Sequence, residues 1–158
     1  MKTDPVILGI DTSCDETSAG ITFGDKIFSN VISSQAKLHE VWGGVVPDIA
    51  RRAHKEKIDF VIAKSLNQAS QTRNLRERYQ GLALKIEDID AVAVTYGPGL
   101  AIALEVGITK AIEIAKQYNK PLIAINHLEG HLLSPLAKNS LGKKGLDLKK
   151  EDFPILGV

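Results

Sequence analysis

The sequence has few cysteines, no long apolar run and little net charge, and each of these absences excludes a class of protein. It contains a single cysteine, Cys14, so no disulfide can form within the chain, and this favours a reducing, cytoplasmic environment. No apolar run approaches the ~20 residues of a membrane-spanning helix, and the short apolar run at 6–10 is typical of a buried strand rather than a secretory signal. The 20 basic and 19 acidic residues nearly cancel. Any nucleic acid would therefore be bound through local patches or other subunits.

The composition is that of a folded domain. Hydrophobic residues make up 44% of the 158 residues and charged residues 25%, which is typical of globular proteins. The length fits one domain with a sizeable core.

The apolar pattern predicts alternating strands and helices. Apolar runs predict strands over 6–10, 17–23, 26–33, 91–95 and 121–125. Apolar positions at helical spacing predict helices over 47–70, from just after 99 to about 118, and over 127–138. Residues 71–88 predict a short helical stretch and a turn, and residues 153–158 predict the opening of one more strand.

The order β-β-β-α-β-α-β-α predicts an α/β fold. Short links make the first three strands antiparallel neighbours, and two strand–helix crossovers add parallel strands, so we expect a mixed five-stranded sheet with helices on its faces. This is the order of the ribonuclease H-like unit of actin-like ATPases. Residues 1–138 are expected to form an N-terminal actin-like lobe, 139–152 a polar connector, and 153–158 the start of a truncated second lobe.

Two histidines four residues apart, His127 and His131, suggest a metal site. Side chains at this spacing lie on one face of a helix and can chelate one divalent ion. The pattern is not that of zinc peptidases, because Glu129 sits two residues after the first histidine. Two surface histidines on an amphipathic helix are an equally good interpretation of the spacing alone, and most metals need at least three ligands.

Polar residues crowd the turn at 11–17, between the first two predicted strands. Its carboxylates, which include Asp15 and Glu16, can orient a nucleophile or steer a cation, and the hydroxyl of Ser13 can bind phosphate. A polar hairpin turn with side-chain-to-backbone bonds explains the same residues and is favoured from the turn alone. Cys14 is interpreted as a small packed side chain rather than a nucleophile.

Two weaker signals follow along the chain. Gly97, Pro98 and Gly99 precede a helix whose N-terminus can attract an anion, although a tight strand-to-helix turn explains them equally well. A basic cluster at 51–57, with His54 inside it, can meet a phosphate backbone, but a solvated helix face is the commoner explanation.

Taken together, these motifs resemble the TsaD family, the transferase subunit of tRNA threonylcarbamoyladenosine synthesis, whose archaeal and eukaryotic counterparts were once described as glycoproteases. The matching segments lie in the family's order at 9–17, 43–54, 97–100 and 126–132. The Thr-Ser-Cys-Asp-Glu-Thr and His-x-Glu-Gly-His runs are each fairly specific.

The resemblance implies an acyltransferase that moves threonylcarbamoyl from threonylcarbamoyl-adenylate to the N6 amine of the adenosine beside the anticodon of tRNA. It implies one iron or zinc ion held by His127, His131 and an aspartate from the C-terminal half, with Asp15 and Glu16 at the active site. It further implies an ATP- or adenylate-type nucleotide, and TsaB-like and TsaE-like or KEOPS-like subunits.

The sequence departs from the family pattern at its end. The family continues from a segment like 153–158 into a substrate-binding Ser-Gly-Gly-His-Thr stretch that is absent here. We therefore expect a truncated chain that is inactive alone and lacks the third metal ligand. A non-catalytic, TsaB-like binding module or an inert fragment is the alternative; the histidine pair argues against the TsaB-like version, because that family lacks it.

Overall fold

A computed structural model of the protein describes residues 4–72, 75, 77 and 79–139. The predicted connector beyond residue 139 and the predicted strand at 153–158 lie outside the described residues, as does part of the polar stretch at 71–88. No described helix is long and apolar enough to span a membrane.

One mixed sheet forms the centre of the domain. Its strands are β1 (Val6–Asp11), β2 (Glu16–Phe23), β3 (Lys26–Ser34), β4 (Ala91–Gly97), β5 (Leu122–Asn126) and β6 (Lys138–Asn139). They lie in the order β5-β4-β1-β2-β3-β6. The β1–β2 and β2–β3 pairs are antiparallel, and the β1–β4, β4–β5 and β3–β6 pairs are parallel. The five predicted strands and their directions are confirmed, and the two-residue β6 extends the sheet at one edge.

The α-helices whose full bounds lie within the described residues are α1 (Ala36–His39), α2 (Pro47–Ser70), α3 (Ala101–Gln117) and α4 (His127–Leu133). Short 3-10 helices occupy Glu40–Trp42, Ile86–Asp88 and Ser134–Leu136. The helix predicted over 47–70 matches α2, which starts with Pro47 in its first turn and Asp48 beside it, a favourable arrangement for a helix N-terminus.

The core lies between the sheet and the two long helices. Alternate residues of β1 (Val6, Leu8 and Ile10) pack against α2 and α3 on one face. The intervening residues of β1 point to the opposite face, as the twofold period of a strand requires. Asp11 is the last of these, so its carboxylate emerges from that opposite face at the carboxyl end of a central strand.

The helix predicted over 127–138 is wrong in its second half. Pro135 has no N–H to donate to the carbonyl of His131, and the Ser134 hydroxyl donates to that carbonyl instead, at 2.9 Å. The α-helix therefore ends at Leu133, because proline removes the next hydrogen bond of the ladder. After the 3-10 turn, Lys138 begins β6 beside β3. The predicted boundary between lobe and connector, between residues 138 and 139, thus falls within the two-residue β6.

Candidate metal and substrate site

The positions of His127 and His131 are determined by where α4 begins. The side chain of Asn126 accepts hydrogen bonds from the backbone N–H groups of Leu128 and Glu129 at 2.9 and 3.3 Å, so it caps the helix. This cap makes His127 the first helical residue and puts His131 one turn further on. The two rings meet edge to face with centroids 4.5 Å apart, and their Nε2 atoms are separated by 3.1 Å.

Asp11 holds the first of these histidines in place. The Nδ1 atom of His127 lies 3.1 Å from Oδ2 of Asp11, which also accepts a hydrogen bond from the hydroxyl of Thr95. Oδ1 accepts a hydrogen bond from the backbone N–H of Ser13 at 2.8 Å. Burial acts to raise the pKa of Asp11, but these hydrogen bonds outweigh it and hold the pKa below its usual value of 3.8. The carboxylate is therefore ionised and keeps the proton of His127 on Nδ1.

This arrangement leaves Nε2 of His127 free to act as an electron-pair donor. Two nitrogens bound ~2.0–2.1 Å from one zinc ion in tetrahedral geometry are about 3.3 Å apart, close to the 3.1 Å observed between the two Nε2 atoms. The same separation, with no metal, fits His131 donating its Nε2–H to His127. His131 becomes a ligand by shifting its proton to Nδ1. The two histidines therefore fit a divalent ion, with Asp11 as the supporting carboxylate.

The described residues contain no group of three or more candidate metal ligands. The pair therefore supplies two ligands. An ion bound there would keep positions open for other groups, as catalytic metals do.

The turn at 11–17, called the acidic turn below, faces the histidines across one open cleft of about 470 Å³. Its lining includes Asp11, Ser13, Asp15, Glu16, His127 and His131. Asp15 is half-buried and Glu16 is exposed. The structure thus brings together two regions that are over 100 residues apart in the sequence. The cleft carries carboxylates beside imidazoles. Such side chains can bind a cation and can transfer protons.

The glycine segment, residues 97–99, contacts the turn at Ser13 beside this cleft and is not among the residues that line it. Gly97 ends β4 with φ of 154°, and the Gly97–Pro98 peptide bond is cis. A Cβ on Gly99 would lie 2.6 Å from the carbonyl oxygen of Ser13, so only glycine allows this approach. The backbone N–H of Leu100 donates to that same carbonyl at 2.7 Å. Gly99 therefore supports the acidic turn at Ser13.

Thr12 fastens the same turn to α3. Its hydroxyl donates to the carbonyl of Ala103 at 2.8 Å and accepts from the N–H of Gly107 at 3.1 Å. These two backbone groups are helix partners four residues apart, so the hydroxyl is inserted into the helix ladder. A Cβ on Gly107 would lie 2.6 Å from the hydroxyl oxygen, which explains the glycine in mid-helix.

Two expectations from the sequence are wrong. Cys14 is exposed rather than packed, because the turn directs its side chain outwards; desolvation and then the neighbouring Asp15 raise the pKa of its thiol. His54, grouped with the basic cluster, is fully buried, whereas Arg52 and Lys55 are exposed.

The sequence analysis gave Asp11 no role beyond its place among the carboxylates of the turn, placed His54 in the basic cluster, and gave no role to Thr95. Two signals were available. Asp11 follows an apolar strand directly, and polar residues at the carboxyl ends of central strands commonly meet ligands. His54 lies four residues after Ala50 and four before Ile58, both buried, which places it on the apolar face of α2.

Comparison with known proteins gives the family. The sequence profile described as TsaD, tRNA N6-adenosine threonylcarbamoyltransferase, matches residues 26–144. A protein of that name from Pelagibacter ubique is 42% identical over 146 residues, which are 89% of this chain and 37% of the relative. One from Caldicellulosiruptor bescii is 48% identical over 130 residues, 80% of this chain and 34% of the relative. The chain thus spans about a third of the length of these curated relatives.

Among solved structures, YeaZ from Pseudomonas aeruginosa superposes with a TM-score of 0.51 at 18% identity, over 78% of this chain and 45% of that protein. This likeness supports the actin-like, ribonuclease H-like fold. The TsaD profile covers well over half of the chain. The chain therefore belongs to the TsaD family of tRNA N6-adenosine threonylcarbamoyltransferases.

Proposed function

We propose that this chain is the N-terminal part of a tRNA threonylcarbamoyltransferase and supplies two metal ligands and the acid–base groups of its active site. The observation that carries the proposal is the meeting of His127, His131 and Asp11 with Asp15 and Glu16 in one cleft. Family membership supports the reaction class.

In the proposed reaction, the N6 amine of adenosine attacks the carbamoyl carbon of threonylcarbamoyl-adenylate. A C–N bond forms, the bond from that carbon to the phosphate oxygen breaks, and AMP leaves. The amine loses one proton, and Asp15 or Glu16 accepts or steers it as general base. Their position opposite the histidines, in a cleft open to solvent, supports this role.

His127 and His131 would hold one divalent ion, iron or zinc, with the third ligand from the C-terminal half. When bound, the ion would act as a Lewis acid and template for the acyl donor. Asp11 orients His127 by accepting its Nδ1 proton, and Asn126 fixes the helix end on which it stands.

Ser13, Gly97, Pro98 and Gly99 would bind the adenylate-type substrate. Support comes from Ser13 in the cleft lining and from the close contact of Gly99 with Ser13 at the start of α3. A helix N-terminus offers backbone N–H groups to phosphate oxygens.

The partners proposed are tRNA, TsaB-like and TsaE-like (or KEOPS-like) subunits and the C-terminal lobe, in the cytoplasm, with an ATP- or adenylate-type nucleotide in the complete enzyme. The near-zero net charge of this chain means that other parts of the assembly would supply much of the attraction for tRNA.

The test is metal analysis of the chain and a tRNA-modification assay with and without a supplied C-terminal half. We expect the chain alone to bind iron or zinc loosely and to be inactive, and the complemented form to retain the metal and show transfer activity. Metal binding and activity should both be lost in His131→Ala. An unchanged transfer rate in Asp15→Ala would refute the acid–base role proposed for Asp15. An active complemented enzyme without bound metal would refute the proposed metal site at His127 and His131.

A further inference from the structure

A buried chain of polar side chains runs beneath the acidic turn. It consists of His39, Gln35 and His54, and all three are buried. Atoms of His39 and Gln35 lie 3.3 Å apart, those of Gln35 and His54 lie 3.1 Å apart, and Nε2 of His54 lies 3.1 Å from the carbonyl oxygen of Cys14. We define this set as the His39–Gln35–His54 relay.

The donors and acceptors of the relay follow from its ends. The carbonyl of Cys14 can only accept, so Nε2 of His54 carries a proton. At the other end, the backbone N–H of Val46 can only donate, and it lies 3.3 Å from Nδ1 of His39. His39 therefore carries its own proton on Nε2 and donates it to Oε1 of Gln35.

The middle of the relay is then fixed. Nε2 of Gln35 donates to Nδ1 of His54, which also accepts the hydroxyl proton of Thr17 at 2.8 Å. The four bonds from the Val46 N–H through the relay to the Cys14 carbonyl therefore all run in one direction. Both imidazoles are neutral Nε2–H tautomers. The described residues contain no buried side-chain polar atom without a partner. Burial lowers the pKa of His54, in agreement with a neutral ring.

The relay acts on the backbone of the acidic turn. Three successive carbonyls in that turn are each held by a different element. The carbonyl of Ser13 accepts from Leu100 at the start of α3, that of Cys14 from His54 on α2, and that of Asp15 from the backbone N–H of Gln35. Fixed carbonyls fix the peptide planes between Ser13 and Glu16, and hence the directions in which Asp15 and Glu16 leave the backbone.

We propose that His54 is a positioning residue: as the neutral end of the His39–Gln35–His54 relay, it holds the Cys14 carbonyl and so aims Asp15 and Glu16 at the histidine pair. This inference rests on the proposed function in one respect, the catalytic use of Asp15 and Glu16. The relay itself, however, is a property of this chain that needs no metal and no activity to be measured.

The test uses two variants that divide the contacts of His54. In His54→Gln the amide nitrogen reaches about as far as Nε2, so the donor to the Cys14 carbonyl is kept. In His54→Asn the amide reaches about as far as Nδ1, so the contacts with Thr17 and Gln35 are kept and the Cys14 bond is lost. Lys55→Gln, at the next and exposed position, is the control for α2.

Cys14 supplies the readout, because it is exposed and is the only cysteine in the sequence. We expect a nitroxide on Cys14 to be immobilised in the wild-type chain, in Lys55→Gln and in His54→Gln, and to lose its immobilised component in His54→Asn. Equal mobility in the two His54 variants would overturn the proposal, since a merely space-filling histidine predicts that result.

A second measurement needs no variant. Long-range ¹H–¹⁵N correlation spectra of the wild-type chain at pH 7 should show the Nε2–H tautomer for both His39 and His54. An Nδ1–H or a doubly protonated His54 would overturn the relay even if both variants fail to fold.

Activity then separates the two proposals. In the complemented enzyme, His54→Asn should lower kcat by up to about 100-fold, the cost of misplacing a catalytic group by about 1 Å, and His54→Gln should recover most of it. If Asp15→Ala leaves transfer intact, the function proposed for the turn fails, whereas the label and tautomer results still decide the relay.

Discussion

Replacing Asp11 by asparagine should weaken metal binding without removing a metal ligand. Three donors converge on this carboxylate: the N–H of Ser13 on Oδ1, and the Thr95 hydroxyl and Nδ1 of His127 on Oδ2. An asparagine offers only one oxygen. If that oxygen faces Ser13, the amide NH₂ points at Nδ1 of His127 and drives the ring to its Nε2–H tautomer, which blocks the metal-binding nitrogen.

The opposite orientation of the amide is also unfavourable. The NH₂ group then faces the N–H of Ser13, and a buried donor loses its acceptor, at a cost of about 1–3 kcal/mol. Supporting carboxylates of this kind contribute roughly 10- to 100-fold to metal affinity, or about 1.4–2.7 kcal/mol. We therefore expect the Kd of the chain for Zn²⁺ to rise about 10- to 100-fold in Asp11→Asn.

The assay is competition for Zn²⁺ with a chromophoric chelator, accompanied by melting curves and imidazole ¹⁵N shifts. Asp15→Asn is the matched control, because it removes one negative charge from the same cleft and leaves the contact with His127 intact. We expect a smaller rise in Kd for this control and a change of the His127 tautomer in Asp11→Asn alone. Equal weakening in both variants, or an unchanged tautomer in Asp11→Asn, would refute the orienting role and leave only general electrostatics.

Three further outcomes are expected. Gly107→Ala should lower the free energy of unfolding by about 1–3 kcal/mol, because its methyl group displaces the inserted Thr12 hydroxyl; Gly130→Ala, whose Cβ meets nothing within 4 Å, should raise it by up to about 1 kcal/mol, and equal effects in denaturant melts would contradict the inserted hydroxyl. Because burial lowers the pKa of His54 below 6.5, the unfolded chain binds a proton before the folded chain does; stability should therefore fall as pH drops below about 6.5, by at most about 1.4 kcal/mol per pH unit. His54→Gln should lose this part of the slope, and identical slopes would refute it. His131→Ala should abolish measurable Zn²⁺ binding while leaving the melting temperature of the metal-free chain within about 2 °C, because the side chain is exposed; a large loss of stability would contradict this.

The acidic turn is hydrogen-bonded to both long helices of the domain. Thr12 enters the ladder of α3, Ser13 accepts from the residue before α3, and Cys14 accepts from α2. A turn with so many outside partners keeps its shape when solvent enters the cleft. This gives a physical reason for small and polar residues here in addition to any contact with substrate.

The sequence by itself determined the elements and the family. Strand and helix patterns depend on periodicity within 5–20 residues, and for this reason α2 and the five main strands were predicted closely. The spacing of His127 and His131 placed both rings on one helical face, a local property that spacing reports directly. The end of α4 is the exception: apolar spacing predicts a helix to 138, but Pro135 lacks the N–H that the hydrogen-bond ladder needs and the helix ends at Leu133.

Only the tertiary structure decided what these residues contact. The bond between Asp11 and His127 joins positions 116 apart, and it exists because parallel pairing through β4 brings the ends of β1 and β5 to one edge of the sheet. The burial of His54 depends on the register of α2 against β2, which decides whether a polar side chain finds partners or water. Such contacts arise from packing between distant segments, which local periodicity does not report. They place the two histidines, whose spacing alone is ambiguous, beside the carboxylate of Asp11 and across one cleft from Asp15 and Glu16.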